Sequence, residues 1–182
     1  MVRPVRRVGA RFGEYEVLAP LASGGMGGVY LAAHVATGER VALKVLDPLF
    51  ADHAEVISRM FGERSVSARA SHPGLLDIRA ASRASDGVPY LVMEYLDGET
   101  LAAIIERSGS AGPRSVPEGP RGEAIERAPL EIEAIASIGA QLAGALAALH
   151  DAGVIHCDVK PDNVFVLHDR RWRDAPAVKV ID

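Results

Sequence analysis

The ten residues VIHCDVKPDN, 154 to 163, contain a histidine, a thiol, two carboxylates, a lysine and an asparagine. They could form a metal site, a cysteine nucleophile with its base, or a loop for another reaction. A zinc site is disfavoured because consecutive residues point in different directions and no second ligand cluster with zinc spacing occurs in the sequence. A Cys157 nucleophile is disfavoured because neither spacing nor motif supplies a base and an orienting group. The rest of the chain must decide.

The composition predicts a globular chain that binds no nucleic acid. The 182 residues are 48% hydrophobic, which is enough for a buried core in one large domain or two small lobes. A formal net charge of -4 argues against nucleic-acid binding, which normally requires a basic excess. Arginines crowd the start of the chain, and we interpret residues 1–10 as a solvated, disordered basic arm rather than a binding patch.

Cysteine usage and hydropathy predict a cytoplasmic protein. Cys157 is the single cysteine, which excludes an intrachain disulfide and favours a reducing compartment. The amino terminus lacks the apolar region of a signal peptide, and no run of 18 apolar residues is free of charge. The stretch IEAIASIGAQLAGALAALH, 132 to 150, comes closest and is interpreted as a buried helix, so no membrane segment is predicted.

Hydrophobic patterning predicts that the first hundred residues form five strands and one helix. Turn signals at 23–28 and in ATGER (36–40) divide residues 15 to 46 into three antiparallel strands. A helical pattern follows and ends at SHPG, because Pro73 disfavours the helical conformation at His72. The helix is predicted over residues 53–70. The last two strands are predicted over 75–82 and 89–96.

The second half of the chain is predicted to be mostly helical up to the decapeptide at 154–163. A short helix at 99–107 is followed by a segment rich in Gly, Pro, Ser and charge, predicted to be a mobile loop at about 108–128. A long helix over 130–150 ends at Gly153. Two short strands, NVFVL and VKVI, follow the decapeptide.

Two features of the first half suggest a phosphate ligand. The turn SGGMGG, 23 to 28, joins two strands and lacks the helix and Lys-Ser/Thr pair of a P-loop. Its glycines let backbone N–H groups approach an anion, although an ordinary flexible turn has the same composition. Lys44 lies in the apolar strand VALK, where its ammonium needs an anionic partner unless the strand edge is exposed. Glu63 in the following helix is the candidate partner.

The ordered set GGMG, VALK, HCDVKPDN and VID resembles the protein kinase family. The segments SGGMGGVYLA and ERVALKVL are similar to those of bacterial serine/threonine kinases of the eukaryotic type. The resemblance covers Tyr15 to Asp182. It implies an α+β, two-lobed kinase-like fold. The amino-terminal lobe, residues 11–97, would bind ATP with five strands and one helix. Residues 98–182 would begin a helical lobe with its catalytic loop at 156–163.

The resemblance also implies the nucleotide-binding residues. Ala22 stands where the first glycine of the phosphate-covering loop is usual, and Gly24 and Gly27 resemble the second and third. Lys44 would contact the α and β phosphates, with Glu63 orienting it. The remaining predicted contacts to ATP are Ser23, Gly25, Val29 over the adenine, Ala42, Met93 at the back of the pocket, and the hinge from Glu94 to Leu96.

The decapeptide takes its roles from the same resemblance. Asp158 resembles the carboxylate that accepts the substrate hydroxyl's proton, and Lys160 would neutralise charge on the transferred phosphoryl group. Asn163 and Asp182 would hold Mg²⁺, and His156 would be structural. Cys157 replaces a common arginine, which suggests activation without phosphorylation of an activation loop.

Three functions stay open: a serine/threonine protein kinase, a pseudokinase or regulatory nucleotide binder, and a small-molecule phosphotransferase of kinase-like fold. Lys160, two residues after Asp158, favours a kinase acting on Ser/Thr hydroxyls of proteins. The family pattern includes an activation segment and a peptide-binding lobe after the position of Asp182. We therefore expect these residues to be an incomplete catalytic domain with little or no activity alone. We also expect an apolar helix face at 130–150 that promotes self-association or binding of another chain.

Overall fold

The computed structural model describes residues 8–109, 132–172 and 175–181. The chain divides into two compact units. The amino-terminal unit comprises Met1–Ser71 and Leu75–Leu96, and the carboxy-terminal unit comprises His72–Gly74 and Asp97–Asp182. Of the predicted segments, most of the basic arm, most of the 108–128 loop, and Asp182 lie outside the described residues.

The amino-terminal unit is built on a six-stranded antiparallel sheet rather than the five strands predicted. The additional strand is Arg11–Phe12, which pairs with Tyr15 and Glu16 and is too short to show a periodic pattern. The spatial order is β1-β2-β3-β4-β6-β5. The strands are β1 Arg11–Phe12, β2 Tyr15–Gly24, β3 Gly27–His34, β4 Arg40–Leu46, β5 Ile78–Arg83 and β6 Pro89–Glu94.

The two residues before β1 are hydrogen-bonded to β2. Gly9 N donates to Val17 O at 2.8 Å, and Val17 N donates to Ala10 O at 3.0 Å. These bonds place the end of the predicted arm against β2.

Strand β4 contributes to a core on each side of the sheet, because successive side chains of a strand point to opposite faces. Val41, Leu43 and Val45 lie in one buried cluster together with Phe12 and Tyr90. Ala42 and Leu46 lie in a second cluster on the other face. Since Lys44 shares the parity of Ala42 and Leu46, its side chain leaves β4 on this second face.

Helix α1, Ala54–Arg69, packs its apolar side on the second cluster through Met60, Ile57 and Phe61. It ends where Ala70 becomes extended, just before His72 and Pro73, as the SHPG sequence predicts. A 3₁₀ turn at Pro48–Phe50, capped by the Asp47 carboxylate, precedes the helix and was not predicted.

In its described residues, the carboxy-terminal unit combines a three-stranded sheet with two α-helices. Its sheet has the order β7-β8-β9, with β7 Gly98–Thr100, β8 Val164–Trp172 and β9 Ala175–Val180. The prediction that a helix starts at Glu99 is wrong, because Gly98–Thr100 pairs with β8. Helix α2, Leu101–Gly109, begins two residues after the predicted start, and Thr100 Oγ1 accepts a hydrogen bond from Ala103 N at 3.2 Å.

Helix α3, Ile132–Asp151, packs one face against β9. Its buried positions are Ile138, Gln141, Ala145 and Leu149, while Ile132 and Ile135 are exposed, so the helix is buried on one face only. Gly153 follows with φ +71°, the conformation expected after a helix end. Among the described residues, α3 is the one helix long and apolar enough to cross a membrane, a weak indication because core helices meet the same criterion.

Candidate active site

The glycine-rich turn is a tight hairpin between β2 and β3. The strands stay paired up to Gly24 and Gly27, so only Gly25 and Met26 form the connection, which is shorter than the predicted break at 23–28. Ala22 is exposed and pairs with Val29, so its methyl group is accommodated within the strand. The turn therefore presents a short glycine-rich backbone segment.

Gly27 is the position in this turn that requires glycine. Its φ is +155°, and a Cβ there would lie 2.2 Å from Val45 O. Gly24 and Gly25 have open space around the same position. The close approach of Gly27 to β4 fixes the base of the turn next to the strand that carries Lys44.

Lys44 and Glu63 form an ion pair inside the amino-terminal unit. The ammonium Nζ donates to both carboxylate oxygens of Glu63, at 2.9 Å and 3.1 Å. Both side chains are about one quarter exposed, at 28% each. The predicted pairing therefore exists, and it solves the desolvation problem of a lysine on a mostly apolar strand.

The predicted adenine-contacting residues of this unit belong to one apolar cluster. Ala42 and Met93 are buried and are directly paired across β4 and β6. Val29 packs against the same cluster from β3. The sequence assigned these residues to one pocket, and the structure brings them together on the face of the sheet that also bears Lys44.

The predicted hinge begins with a carboxylate, Glu94, whose burial no local sequence pattern predicts. Glu94 Oε1 accepts a hydrogen bond from Asp77 N at 2.8 Å, and Glu94 N donates to Asp77 O at 3.0 Å. This two-way contact holds the end of β6 beside the residue that precedes β5. Tyr95 and Leu96 follow it with partly exposed side chains.

The catalytic-loop candidates converge in the carboxy-terminal unit. Lys160 Nζ lies 2.8 Å from Asp158 Oδ2. Asn163 is buried, and its Nδ2 donates to the backbone oxygen of Asp158 at 2.9 Å and to Oδ2 at 3.0 Å. A 3₁₀ turn at Pro161–Asn163 brings Asn163 back towards Asp158. Asp158, Lys160 and Asn163 thus form one hydrogen-bonded group. The fourth predicted residue, Asp182, lies outside the described residues.

This arrangement keeps Asp158 ionised. The hydrogen bond from Lys160 is the main cause that lowers the pKa of the Asp158 carboxyl below its ordinary value, and Asn163 adds to the effect. Desolvation opposes this shift and is outweighed by the hydrogen bonds and the positive charge of Lys160. Asp158 is therefore an anion at neutral pH and can accept a hydrogen bond from a hydroxyl group.

His156 and Cys157 shape the loop around Asp158. His156 Nδ1 accepts a hydrogen bond from Asp158 N at 3.4 Å, in agreement with a structural role. Cys157 is exposed with φ +64°, and among the described residues it is the one non-glycine residue with positive φ. Its thiol lies 3.5 Å from Ile155 O. The left-handed backbone at Cys157 lets its two neighbours form their hydrogen bond.

Strand β9 connects this loop to the last predicted metal ligand. Ile181 N donates to Asn163 O at 2.9 Å, and Val180 pairs with Val164. Asp182 follows Ile181 in the chain and lies outside the described residues. A buried amide that sequence reasoning missed, Gln141, accepts a hydrogen bond from Val178 N on the same strand.

No ready-made metal site of three His, Cys, Asp or Glu side chains occurs within residues 8–109, 132–172 and 175–181. The donor set around the loop nevertheless suits Mg²⁺, which prefers oxygen ligands and keeps several waters. Because the amide nitrogen of Asn163 is engaged by Asp158, its Oδ1 atom is left for an additional partner. Asn163 thus fits the predicted metal role.

These elements match a known family. The model of the protein kinase domain matches residues 15–182. The chain belongs to the protein kinase domain family. This kinase domain is similar to serine/threonine-protein kinase Pkn1 of Myxococcus xanthus, with 35% identity over 175 residues, 96% of the chain and 22% of that protein. It is also similar to PknD of Mycobacterium tuberculosis, with 34% identity over 162 residues, 89% of the chain and 21% of that protein.

Solved structures agree with this assignment. The crystal structure of the Mycobacterium tuberculosis PknI kinase domain has 28% identity and a TM-score of 0.66, covering 96% of this chain and 61% of that one. The predicted family and the kinase-like α+β fold class are thereby confirmed. The chain spans about a fifth of the length of the curated relatives that it matches.

Proposed function

We propose that this kinase domain transfers the γ-phosphoryl group of ATP to Ser or Thr hydroxyls of proteins. The observation that carries the proposal is the bonding of Asp158 to both Lys160 and Asn163. It combines an ionised carboxylate, a cation and a buried amide within eight residues of loop, 156 to 163. Those are the groups that phosphoryl transfer requires for a hydroxyl nucleophile, a transferring anion and a metal.

The amino-terminal unit supplies the proposed ATP-binding residues. The glycine-rich turn offers backbone N–H groups to phosphate, and Lys44 offers a cation whose direction is set by Glu63. Val29, Ala42 and Met93 give an apolar surface suited to adenine. Glu94 and Leu96 would present backbone groups to the edge of the base.

Asn163 and Asp182 are the proposed ligands of Mg²⁺. Bound there, the ion would neutralise charge that develops on the phosphate oxygens. Asn163 is buried and fixed through Nδ2 and through its backbone N–H, which donates to Lys160 O at 2.9 Å. This fixed position favours an oxygen ligand that needs little reorganisation.

Asp158 would position the acceptor hydroxyl and receive its proton as the new O–P bond forms and the bond between Pγ and the β,γ-bridging oxygen breaks, with ADP as the leaving group. Its lowered pKa keeps the carboxylate ready to accept that hydrogen bond at neutral pH. Lys160 lies against the same carboxylate and would contribute positive charge beside the transferred group. General-base assistance of this kind is worth about 10² to 10⁴ in rate.

Two alternatives are distinguished by nucleotide binding and acceptor choice. A pseudokinase would retain the fold without phosphoryl transfer, but Lys44, Glu63, Asp158 and Asn163 are all present with their bonds formed. A small-molecule phosphotransferase would use the same Asp and Asn. The Lys160 contact with Asp158 favours a protein Ser/Thr acceptor over that alternative.

Binding of Mg·ATP tests the proposal on this chain. We expect ATP with Mg²⁺ to raise the melting temperature, and Asp158→Asn to leave that rise nearly unchanged while abolishing transfer of radiolabel to a Ser/Thr protein substrate. Transfer by residues 1–182 is expected to be weak, so wild type and Asp158→Asn are compared at the same enzyme and substrate concentrations. Absence of any Mg·ATP effect would contradict the proposal, and equal loss of binding and transfer in Asp158→Asn would contradict the role of Asp158.

We further propose that the carboxy-terminal unit self-associates through exposed apolar side chains. Ile132, Ile135, Ile155 and Val159 are exposed large hydrophobic residues of this unit. Replacing Ile132 and Ile135 by Gln should lower the association seen by sedimentation velocity. The matched control is Leu49→Gln, an exposed apolar position in the amino-terminal unit. An equal effect of both changes would contradict the proposed surface.

A cytoplasmic location is proposed on chemical grounds. The thiol of Cys157 is exposed and free, a state that a reducing compartment maintains. Fractionation of cells that produce the full protein tests this location.

A further inference from the structure

Strand β9 is an edge strand whose outer N–H groups have specific acceptors. It pairs with β8 on one side only, and an edge strand presents a row of unpaired backbone groups on the other. Val178 N donates to Gln141 Oε1 at 3.1 Å, and Val180 N donates to Gly74 O at 2.8 Å. The outer edge is therefore held at two alternate residues just before Asp182.

Gln141 holds its part of this edge from helix α3. Its side chain is buried at 9% exposure, and its Nε2 donates to Ser137 Oγ at 3.2 Å one turn earlier in the helix. The amide can be placed in one orientation only, because the N–H of Val178 requires an acceptor. The contact joins positions 37 residues apart in sequence.

An aliphatic residue at position 141 would pack well in the buried face of α3 but would leave the Val178 N–H of β9 without the acceptor that Gln141 provides. The other buried positions of the helix, Ile138, Ala145 and Leu149, are apolar. A buried amide is unfavourable unless it is hydrogen-bonded, so the amide adds an acceptor for Val178 rather than apolar contact. The Gly74 contact uses a backbone oxygen, which substitution leaves in place.

A continuous set of contacts leads from Gln141 to the catalytic loop. Three residues beyond Val178, Ile181 N donates to Asn163 O at 2.9 Å. Asn163 in turn donates to Asp158. Ile181, the residue that follows β9, thus bonds to the residue proposed to ligate the metal and directly precedes the other proposed ligand.

We propose that Gln141 is a positioning residue for phosphoryl transfer: by accepting from Val178 N it fixes the end of β9 against Asn163 and thereby strengthens metal-dependent nucleotide binding. The inference rests on the proposed function. It assigns Gln141 no contact with nucleotide or metal.

The test compares binding of the ATP analogue AMPPNP with Mg²⁺ and with EDTA, by calorimetry, in wild type and Gln141→Met. Methionine keeps the length of the side chain and removes both the acceptor oxygen and the amide nitrogen that donates to Ser137. We expect Kd with Mg²⁺ to rise roughly tenfold, at the low end of the effect of outer partners on metal affinity. The Kd in EDTA should not change. Hydrogen exchange of the Val178 amide should accelerate in the same variant.

Two further variants separate positioning from stability. Gln141→Glu restores an acceptor for Val178 N, and its carboxylate can also accept from the Ser137 hydroxyl, so metal-dependent binding should recover relative to Gln141→Met. Leu149→Ala removes a buried side chain from the same helix and should lower the melting temperature without changing the ratio of the two Kd values. An unchanged ratio in Gln141→Met, or the same change in Leu149→Ala, would overturn the inference. Wild type that shows no metal-dependent binding would overturn the proposed function and this inference with it.

Discussion

The ammonium of Lys44 lies within 3.1 Å of both carboxylate oxygens of Glu63, which joins strand β4 to helix α1. The partners are 19 residues apart in sequence. Since α1 also packs on the apolar cluster that contains Ala42 and Met93, the ion pair and the proposed adenine surface are parts of one packed layer.

Replacing Glu63 by Gln should lower the free energy of unfolding by about 1 kcal/mol, near the upper end for pairs that solvent still reaches. The physical reason is that Lys44 loses the negative charge of Glu63 while its side chain stays about three-quarters buried. Urea denaturation measures the change. Glu39→Gln is the matched control and should cost less, because the Glu39 partner of Arg79 is 57% exposed, about twice as much as Glu63. Equal costs would show that burial does not strengthen the Lys44 pair.

Gly27→Ala should destabilise the amino-terminal unit by about 1–3 kcal/mol, the usual cost of a strained backbone position. The new Cβ would meet Val45 O at 2.2 Å while φ is +155°. Gly25→Ala is the control, because nothing lies within 4 Å of its Cβ position and its φ is not in the left-handed region. That change should be neutral or stabilising by up to about 1 kcal/mol. The reverse order in thermal melts would contradict the close approach of Gly27 to β4.

Lys160→Met should raise the pKa of Asp158 towards its ordinary value, because the Lys160 hydrogen bond is the largest cause of the lowering. A carboxyl with a lowered folded pKa adds stability that is present above its unfolded pKa and is lost as pH falls through the folded pKa. In Lys160→Met this acidic loss should therefore be smaller and should be complete at a higher pH. Titration of isotope-labelled Asp carboxyl groups by NMR measures the shift.

Some lowering of the Asp158 pKa should remain in Lys160→Met, because Asn163 still donates to Oδ2. Arg107→Met is the control, since Arg107 pairs with Glu99 in the same unit. It should leave the titration of Asp158 unchanged. An Asp158 titration that is the same in Lys160→Met and wild type would disprove the assigned cause.

Substitutions at Cys157 should follow backbone conformation rather than thiol chemistry. At φ +64°, a Cβ-branched residue is unfavourable, so Cys157→Val should cost about 1–2 kcal/mol. Cys157→Gly should stay within about 1 kcal/mol of wild type, because relief of strain offsets the greater freedom of the unfolded chain. Cys157→Ser, which keeps the shape, is the control, and hydrogen exchange of the Asp158 amide reports on the loop. Equal tolerance of Val and Gly would contradict the left-handed conformation.

The sequence predicted those parts of the site that follow from local pattern or from the family motifs. A lysine in an apolar strand needs an anion, and the next helix offered Glu63, so that pair could be predicted. The three residues Gly98–Thr100 are too few to show a strand period, and their pairing depends on β8, more than sixty positions later. The strand Arg11–Phe12 was also missed because two residues are too few to show a strand period.

The supporting polar contacts could not be placed from sequence. Glu94 bonds to Asp77, 17 residues away, and no local pattern connects them. Gln141 gave one signal, since a single amide in an apolar helical run must find a partner when buried. That signal does not identify Val178 as the partner, because the register of α3 against β9 is a tertiary property.

The two polar contacts, Lys44 with Glu63 and Asp158 with Asn163, each join residues that are close in sequence, and this affects folding during synthesis on the ribosome. Lys44 and Glu63 are 19 residues apart, and Asp158 and Asn163 are five apart. Contacts this local close small loops and form early. Because the amino-terminal residues are synthesised first, the Lys44–Glu63 ion pair can assemble before translation reaches the codon of Asp158. A ribosome stalled between these two segments would therefore display a nascent chain in which protease protection of α1 is already established.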